Sequence, residues 1–378
     1  MKFFRKWLPQ SSDYEGGRLF CLDLLRGLDM FLLTIVGPLV YAFQTQTKLL
    51  PPKVFAQFDH AWGGFTLWDI IMPLFIFMCG AAIPYALSRR LKNGQGEFWR
   101  HVVSRVVMLW VMGGCVQGNW LSFNLHSFSP FANTLQAIAI GYLATAAMMC
   151  VPSRLFRILL PILLAGIYTI MMGSNYERFG NLAQRIDMAI FKAILPADNP
   201  YVAKPSSYTW FFTSLMFAAM TMTGFHAAEI LRSGLTPRKK SIALFVFGCA
   251  LLVFGLLAEI WIPCIKHVYS LSFTAQAMGW SVLALVLLYV VTDVLRFRRG
   301  MSIFLLYGQC ALSAYLISHL FGADVSYDPG AITKMSESIL RAAVEYLGND
   351  SKVIVQVGVS VLLTAAIAIW RKIKMIRD

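Results

Sequence analysis

The chain has 378 residues, of which 58% are hydrophobic and only 14% charged, against about 25% charged in ordinary soluble domains. That composition argues against a soluble enzyme or a disordered chain and points to an all-α, polytopic membrane protein. The net charge of +14, from 33 Lys and Arg against 19 Asp and Glu, raises a nucleic-acid partner, a question that turns on where the charges lie.

In chain order, runs of the roughly 20 apolar residues needed to cross a bilayer fall near 20–41, 67–88, 102–120, 131–150, 155–173, 208–231, 241–262, 272–295, 301–321 and 352–370. About ten transmembrane helices are therefore expected in a single domain over 1–378, joined mostly by short loops. With the N-terminus inside, 23 of the 33 basic residues fall on the cytoplasmic side, among them Arg26, Arg89, Arg90, Arg154, Arg157 and Arg232. Positive charge collects on the inner side of membrane proteins. The basic excess thus reads as orientation, with both termini cytoplasmic and no nucleic-acid partner. The N-terminus is polar and carries no evident cleavable signal. The seven cysteines, at 21, 79, 115, 150, 249, 264 and 310, lie mostly inside the runs without CxxC spacing. They are expected as small buried apolar residues, with neither disulfides nor a metal.

The polar residues within and beside these runs need a reason. Asp23, Arg26 and Asp29 are spaced by three in the first run, which sets them on one helical face. They form either an ion-pair ladder at the cytoplasmic interface or a wall of a binding pocket. Next comes Asp59-His60-Ala61-Trp62-Gly63-Gly64, then Thr66 and Asp69 just inside the second run. A histidine titrates near neutral pH and can serve as base or nucleophile. Asp69 would orient it, or would close a helix capping box with Thr66. Arg89 and Arg90, and later Arg154 and Arg157, could grip phosphates, although orientation alone also explains them.

Asn133 and Gln136 open the fourth run on the outside. The loop 174–207 is long and contains Asn181 and Asp187. Lys266, His267, Ser270 and Ser272 lie between the seventh and eighth runs, and His319 is near the outer end of the ninth. Each is ordinarily a hydrogen-bonding helix end, yet they gather on one side of the membrane. In 322–351, Ile339, Leu340, Ala343 and Leu347 recur on one face of an expected amphipathic helix. No Walker A, GxSxG or HExxH motif occurs. No internal repeat marks an inverted-repeat transporter, which leaves a transporter of a sugar or lipid-linked precursor as the weaker alternative.

The N-terminal block now carries a family likeness. It comprises Asp23, Arg26 and Gly27, then His60-Ala61-Trp62-Gly63-Gly64, Thr66, Asp69, Pro73, Phe75-Ile76-Phe77 and Gly80. It resembles the heparan-alpha-glucosaminide N-acetyltransferase family, part of a wider group of transmembrane acyltransferases. The likeness continues through Leu135-Gln136, Asn181-Leu182, Asp187, Ile265-Lys266, Tyr269-Ser270-Leu271-Ser272-Phe273 and Tyr307-Gly308 to His319. Gly37 stands where the family often has Asn.

The resemblance implies a bacterial inner-membrane enzyme that moves an acetyl group from cytoplasmic acetyl-CoA to the amine of an amino sugar or glycan outside. A related O-acyltransferase would share the topology and use a hydroxyl. The resemblance further implies His60 and Asp69 as catalytic residues. It implies Asp23, Arg26, Trp62, Asn133, Gln136, Lys266, Ser270 and His319 around the substrate, and Arg89, Arg90, Arg154 and Arg157 on coenzyme A. Acetyl-CoA would be the donor, with no metal. The partners would be coenzyme A, the acceptor and the lipid bilayer, and a homodimer is compatible with the reading.

Overall fold

A computed structural model describes residues 19–204, 206–320 and 352–377. The amphipathic helix expected in 322–351 lies outside the described residues. Among those described, every regular element is helical and no strand forms. The chain forms two compact units, one from 1–59 and 287–378, the other from 60–286.

In the first unit, α1 (Phe20–Phe31) passes through a π-helical segment, Leu32–Val36, into α2 (Gly37–Thr47). In the second, a 3₁₀ turn at Leu67–Ile70 leads into α3 (Ile71–Asn93), followed by α4 (Gln95–Gln117), α5 (Thr134–Met149), α6 (Arg154–Met172) and α7 (Leu182–Ile194). Then come α8 (Ser214–Arg232), α9 (Pro237–Ala258) and α10 (Leu271–Tyr289), whose last residues from Leu287, with the π-helical turn over Val290–Val294 that follows, count in the first unit. The first unit closes with α11 (Ser302–Gln309), α12 (Ala311–Leu320) and α13 (Lys352–Arg377).

Among the described residues five helices are long and apolar enough to cross a membrane: Leu67–Asn93, Arg154–Met172, Pro237–Ala258, Leu271–Val294 and Val353–Trp370. The other expected runs depart for identifiable reasons. The fourth has only 16 residues, about 24 Å of helix, short of a hydrocarbon core of about 30 Å. The ninth breaks at Cys310. The third starts early, taking in Glu97, Arg100 and Arg105. The sixth begins only at Ser214 and carries His226 and Glu229 within its apolar run.

Small residues set the packing in both units. In the second, α3 and α8 cross where a Cβ on Gly80 would overlap the Thr221 backbone and one on Gly224 would overlap Phe77. Such close approach is the usual way apolar helices associate in membranes. Around that crossing Ile83, Leu87, Phe98, Tyr142, Met222 and Phe225 form a buried core. In the first unit, Gly27 of α1 meets the Phe304 carbonyl and Gly308 of α11 meets Asp23, beside a core of Phe20, Leu24 and Leu305. The opposite faces of α6 and α9 stay uncovered, as at Leu155, Ile162, Ile170 and Val246. Such surface is too apolar for water and is that of a multi-pass membrane protein.

Candidate functional site

The site grows from the start of the Leu67–Asn93 helix. Thr66, in extended backbone, caps the 3₁₀ turn. Its side chain accepts from the Asp69 amide, and its own amide donates to Asp69 Oδ2 at 3.0 Å. This capping box uses one carboxylate oxygen and aims the other outward. Oδ1 then meets His60 Nδ1 at 2.8 Å. A carboxylate only accepts, so Nδ1 carries a proton, and in the neutral imidazole Nε2 is then the acceptor. Capping and orienting histidine, two separate readings of Asp69 from the sequence, are thus both made by one side chain that is 1% exposed. The His60 side chain is 34% exposed, so its ring is reachable.

Lys266 completes the cluster. Its Nζ lies 3.4 Å from Asp69 Oδ1. It lies 3.0 Å from His60 Nδ1 and 3.2 Å from Nε2. Near-equal distances to both ring nitrogens put the ammonium over the ring face, since the in-plane positions would collide with ring carbons. Burial lowers the Lys266 ammonium from its ordinary value to about 8, against the opposing pull of Asp69.

The segment carrying Lys266 is a tight turn. The Cys264 carbonyl accepts from Gly64 N–H at 2.9 Å, Tyr269 N–H donates to the Lys266 carbonyl at 2.9 Å, and Ser270 N–H donates to the Ile265 carbonyl at 3.1 Å. Tyr269 adopts a left-handed φ of 46°, and the Tyr168 hydroxyl donates to the Val268 carbonyl. His267 lies between Trp62, at 5.1 Å, and Tyr208, at 4.2 Å between ring centroids. Burial, then the neighbouring Lys266 and His60, push His267 down to about 4. It is therefore neutral at physiological pH.

The other candidates expected on the outer side each make hydrogen bonds within the fold. Ser270 Oγ accepts from Ile265 N–H at 3.0 Å and meets Ser272 Oγ at 3.2 Å. Asn133 caps α5 by accepting from Leu135 N–H at 2.6 Å, and its amide donates to Gln117. Gln136 accepts from Ala132 N–H at 2.9 Å and donates to the Pro130 carbonyl at 3.0 Å. Asp187 accepts from Trp210 N–H at 2.6 Å and Phe211 N–H at 3.0 Å. Burial, opposed by those amides, raises its carboxyl to about 7.

Asp23, Arg26 and His319 belong to the other unit. Arg26 meets Asp23 at 3.2 Å. His319 Nδ1 donates to the Tyr315 carbonyl at 3.0 Å.

A cavity of about 1090 Å³ lies within 60–286. Arg154, Arg157 and Arg232 line one end, and Leu271 and Thr274 of α10 line the other. The walls between are largely apolar residues of α6, α8 and α9. Along α8 the lining runs from Ala219 to Arg232, about 20 Å of helix. Leu271 follows directly on the turn that carries Lys266. Arg89 and Arg90 are not among the lining residues, and Arg90 donates to the Ala86 carbonyl at 2.7 Å. Tyr208 beside His267, and Arg178, 6.0 Å from the Trp62 ring, had no local sequence signal. They come into the site only through long-range folding. Among the described residues no group of three or more His, Cys, Asp and Glu is arranged to hold a metal ion.

These helices and this cluster define a multi-pass membrane protein with a buried carboxylate, a reachable histidine and a buried lysine at one site. A family profile described as a domain of unknown function (DUF5009) matches residues 18–140, about a third of the chain. That stretch holds His60, Trp62 and Asp69 but not Lys266. No curated protein matches the chain.

Proposed function

We propose that the protein is a membrane-embedded acetyltransferase that moves an acetyl group from cytoplasmic acetyl-CoA to the amine of an amino sugar or glycan on the far side. The observation that carries this reading is the His60–Asp69 pair with Lys266 over the ring. It is an oriented base next to a cation, and acyl transfer to an amine is accelerated by both. The likeness to the heparan-alpha-glucosaminide N-acetyltransferase family falls on these same residues and supports it.

On this reading the chain crosses the lipid bilayer about ten times, the shorter and broken helices joining the five long ones. Both termini are cytoplasmic, in the inner membrane of a bacterium. The cavity supports the route of the donor. The phosphates of coenzyme A cannot cross lipid, and Arg154 and Arg157 at one end offer charge-assisted partners. The apolar length suits an extended thioester arm reaching toward Leu271. His60 Nε2 then takes the proton of the attacking amine, a contribution of about 10²–10⁴ in rate, or itself carries the acetyl group.

Purified protein should move label from radiolabelled acetyl-CoA to glucosamine or muropeptides. Saturable coenzyme A binding without transfer to any amine or hydroxyl would overturn the proposal. Transfer to a hydroxyl alone would keep the enzyme and replace the acceptor.

A further inference from the structure

Acyl transfer builds negative charge on the carbonyl oxygen, and enzymes hold that charge with pre-set donors. The obvious neutral donors on this side of the molecule are already engaged. The Gln136 amide donates to the Pro130 and Trp110 carbonyls. The Asn133 amide donates to Gln117. Ser270 Oγ is held within its own turn by Ile265, Ser272 and Phe273. Lys266 differs. Its Nζ lies over His60 within 3.2 Å of both ring nitrogens, and its residue is 5% exposed. An ammonium there has three protons, and Asp69 at 3.4 Å claims only part of that capacity. A tetrahedral carbon formed next to His60 Nε2 would hold its oxygen within reach of Nζ.

We propose that the Lys266 ammonium is the oxyanion donor of this site, a catalytic residue rather than a holder of the acceptor. The inference rests on the acetyl-transfer reading. In the step, the lone pair of the nucleophile bonds to the thioester carbonyl carbon and the carbonyl π pair moves onto oxygen, where Lys266 donates a hydrogen bond. The carbonyl then reforms, the carbon–sulfur bond breaks and the thiolate leaves. The proton lost by the amine passes through His60 Nε2 to the sulfur. Lys266 ends with the protons it began with, so it acts only while charged.

That requirement sets a pH signature. With Lys266 lowered to about 8 by burial, activity is retained below that pH and falls above it. The groups facing Lys266 are His60 and Asp69 from the 60–69 segment and His267 from its own turn. Cys264 is raised to about 12 by burial, and burial raises Tyr269 well above its ordinary value. Neither competes in this range.

The experiment measures single-turnover acetyl transfer in nanodiscs for the wild type, Lys266→Met and Lys266→Arg, across pH. Lys266→Met should lower kcat by about 10²–10³ with little change in KM for acetyl-CoA. Lys266→Arg should recover much of that rate and lose the fall above pH ~8, because arginine stays charged. Lys266→Met within about threefold of wild type, or an unchanged basic limb in Lys266→Arg, would overturn the proposal while leaving acetyl transfer standing. A wild type that binds coenzyme A and transfers nothing removes both. If Lys266→Met does not fold, judged by coenzyme A binding, the Lys266→Arg profile decides alone.

Discussion

The segments around Asp69 and around Asp29 bury a carboxylate to the same depth, 1% exposed in each, and surround it differently. Asp69 has three partners: the Thr66 amide, His60 and Lys266. Asp29 has no hydrogen-bond partner for either oxygen among the described residues. In the sequence Asp23, Arg26 and Asp29 share a helical face, which offered either an ion-pair ladder or the wall of a pocket. Arg26 pairs with Asp23 and the ladder stops there. Spacing along one helix fixes which side chains are neighbours but not which of two neighbours an arginine chooses. Convergence from separate segments, as at Asp69, uses both carboxylate oxygens and leaves a defined histidine tautomer. A buried polar group without partners is costly, so removing the charge should disturb Asp69 and its partners far more than Asp29.

The sharpest test of this contrast removes the centre of the ordered cluster. His60→Ala should lower acetyl transfer by about 10²–10⁴ with coenzyme A affinity retained; full activity would take His60 out of the mechanism. Asp69→Asn comes next. It disturbs both the tautomer of His60 and the capping box, and a fall of up to about 10⁴-fold is expected, as for a carboxylate that orients a catalytic histidine.

At the far end of the same unit, alanine at Arg154 or Arg157 should weaken coenzyme A binding about tenfold each and flatten its salt dependence. Alanine at Arg89 and Arg90, which do not line the cavity, should leave both unchanged. Equal effects from the two pairs would break the assignment of the cavity. Asn133→Ala should cost about 1 kcal/mol of stability through loss of its helix cap, read by thermal unfolding, with the chemical step intact. The smallest effect is the one that bears on the comparison itself. Asp29→Asn removes no hydrogen bond and should change stability by less than the roughly 1 kcal/mol of a typical one. A large loss would mean that Asp29 has partners after all.

Much of the helical framework was legible because a run of apolar residues permits few alternatives. The starts of α5, α6 and α7 follow from Asn133, Ser153 and Asn181, each accepting from a backbone amide in its helix. The break at Cys310 and the π-helical turns left no such trace, because they depend on packing.

The site was legible in part. His60 and Asp69 are nine residues apart, and the Thr66 cap makes their meeting a local matter. Lys266 lies 206 positions away from His60, so only the closed fold brings it in. Asn133 and Gln136 looked like site residues because polar groups at a helix start are ambiguous. In the fold they bond to nearby backbone and to Gln117, which gives each a structural role. The cavity needs four helices and so has no signature in any one of them. It separates Arg154 and Arg157 from Arg89 and Arg90, which the sequence could not.

The most direct test is a cryo-EM structure with coenzyme A bound. The account predicts phosphates against Arg154 and Arg157, an arm along α8, and the thiol at the Leu271 end, on the side of His60 and Lys266. Coenzyme A bound outside the cavity, or within it with the thiol at the arginine end, would contradict it.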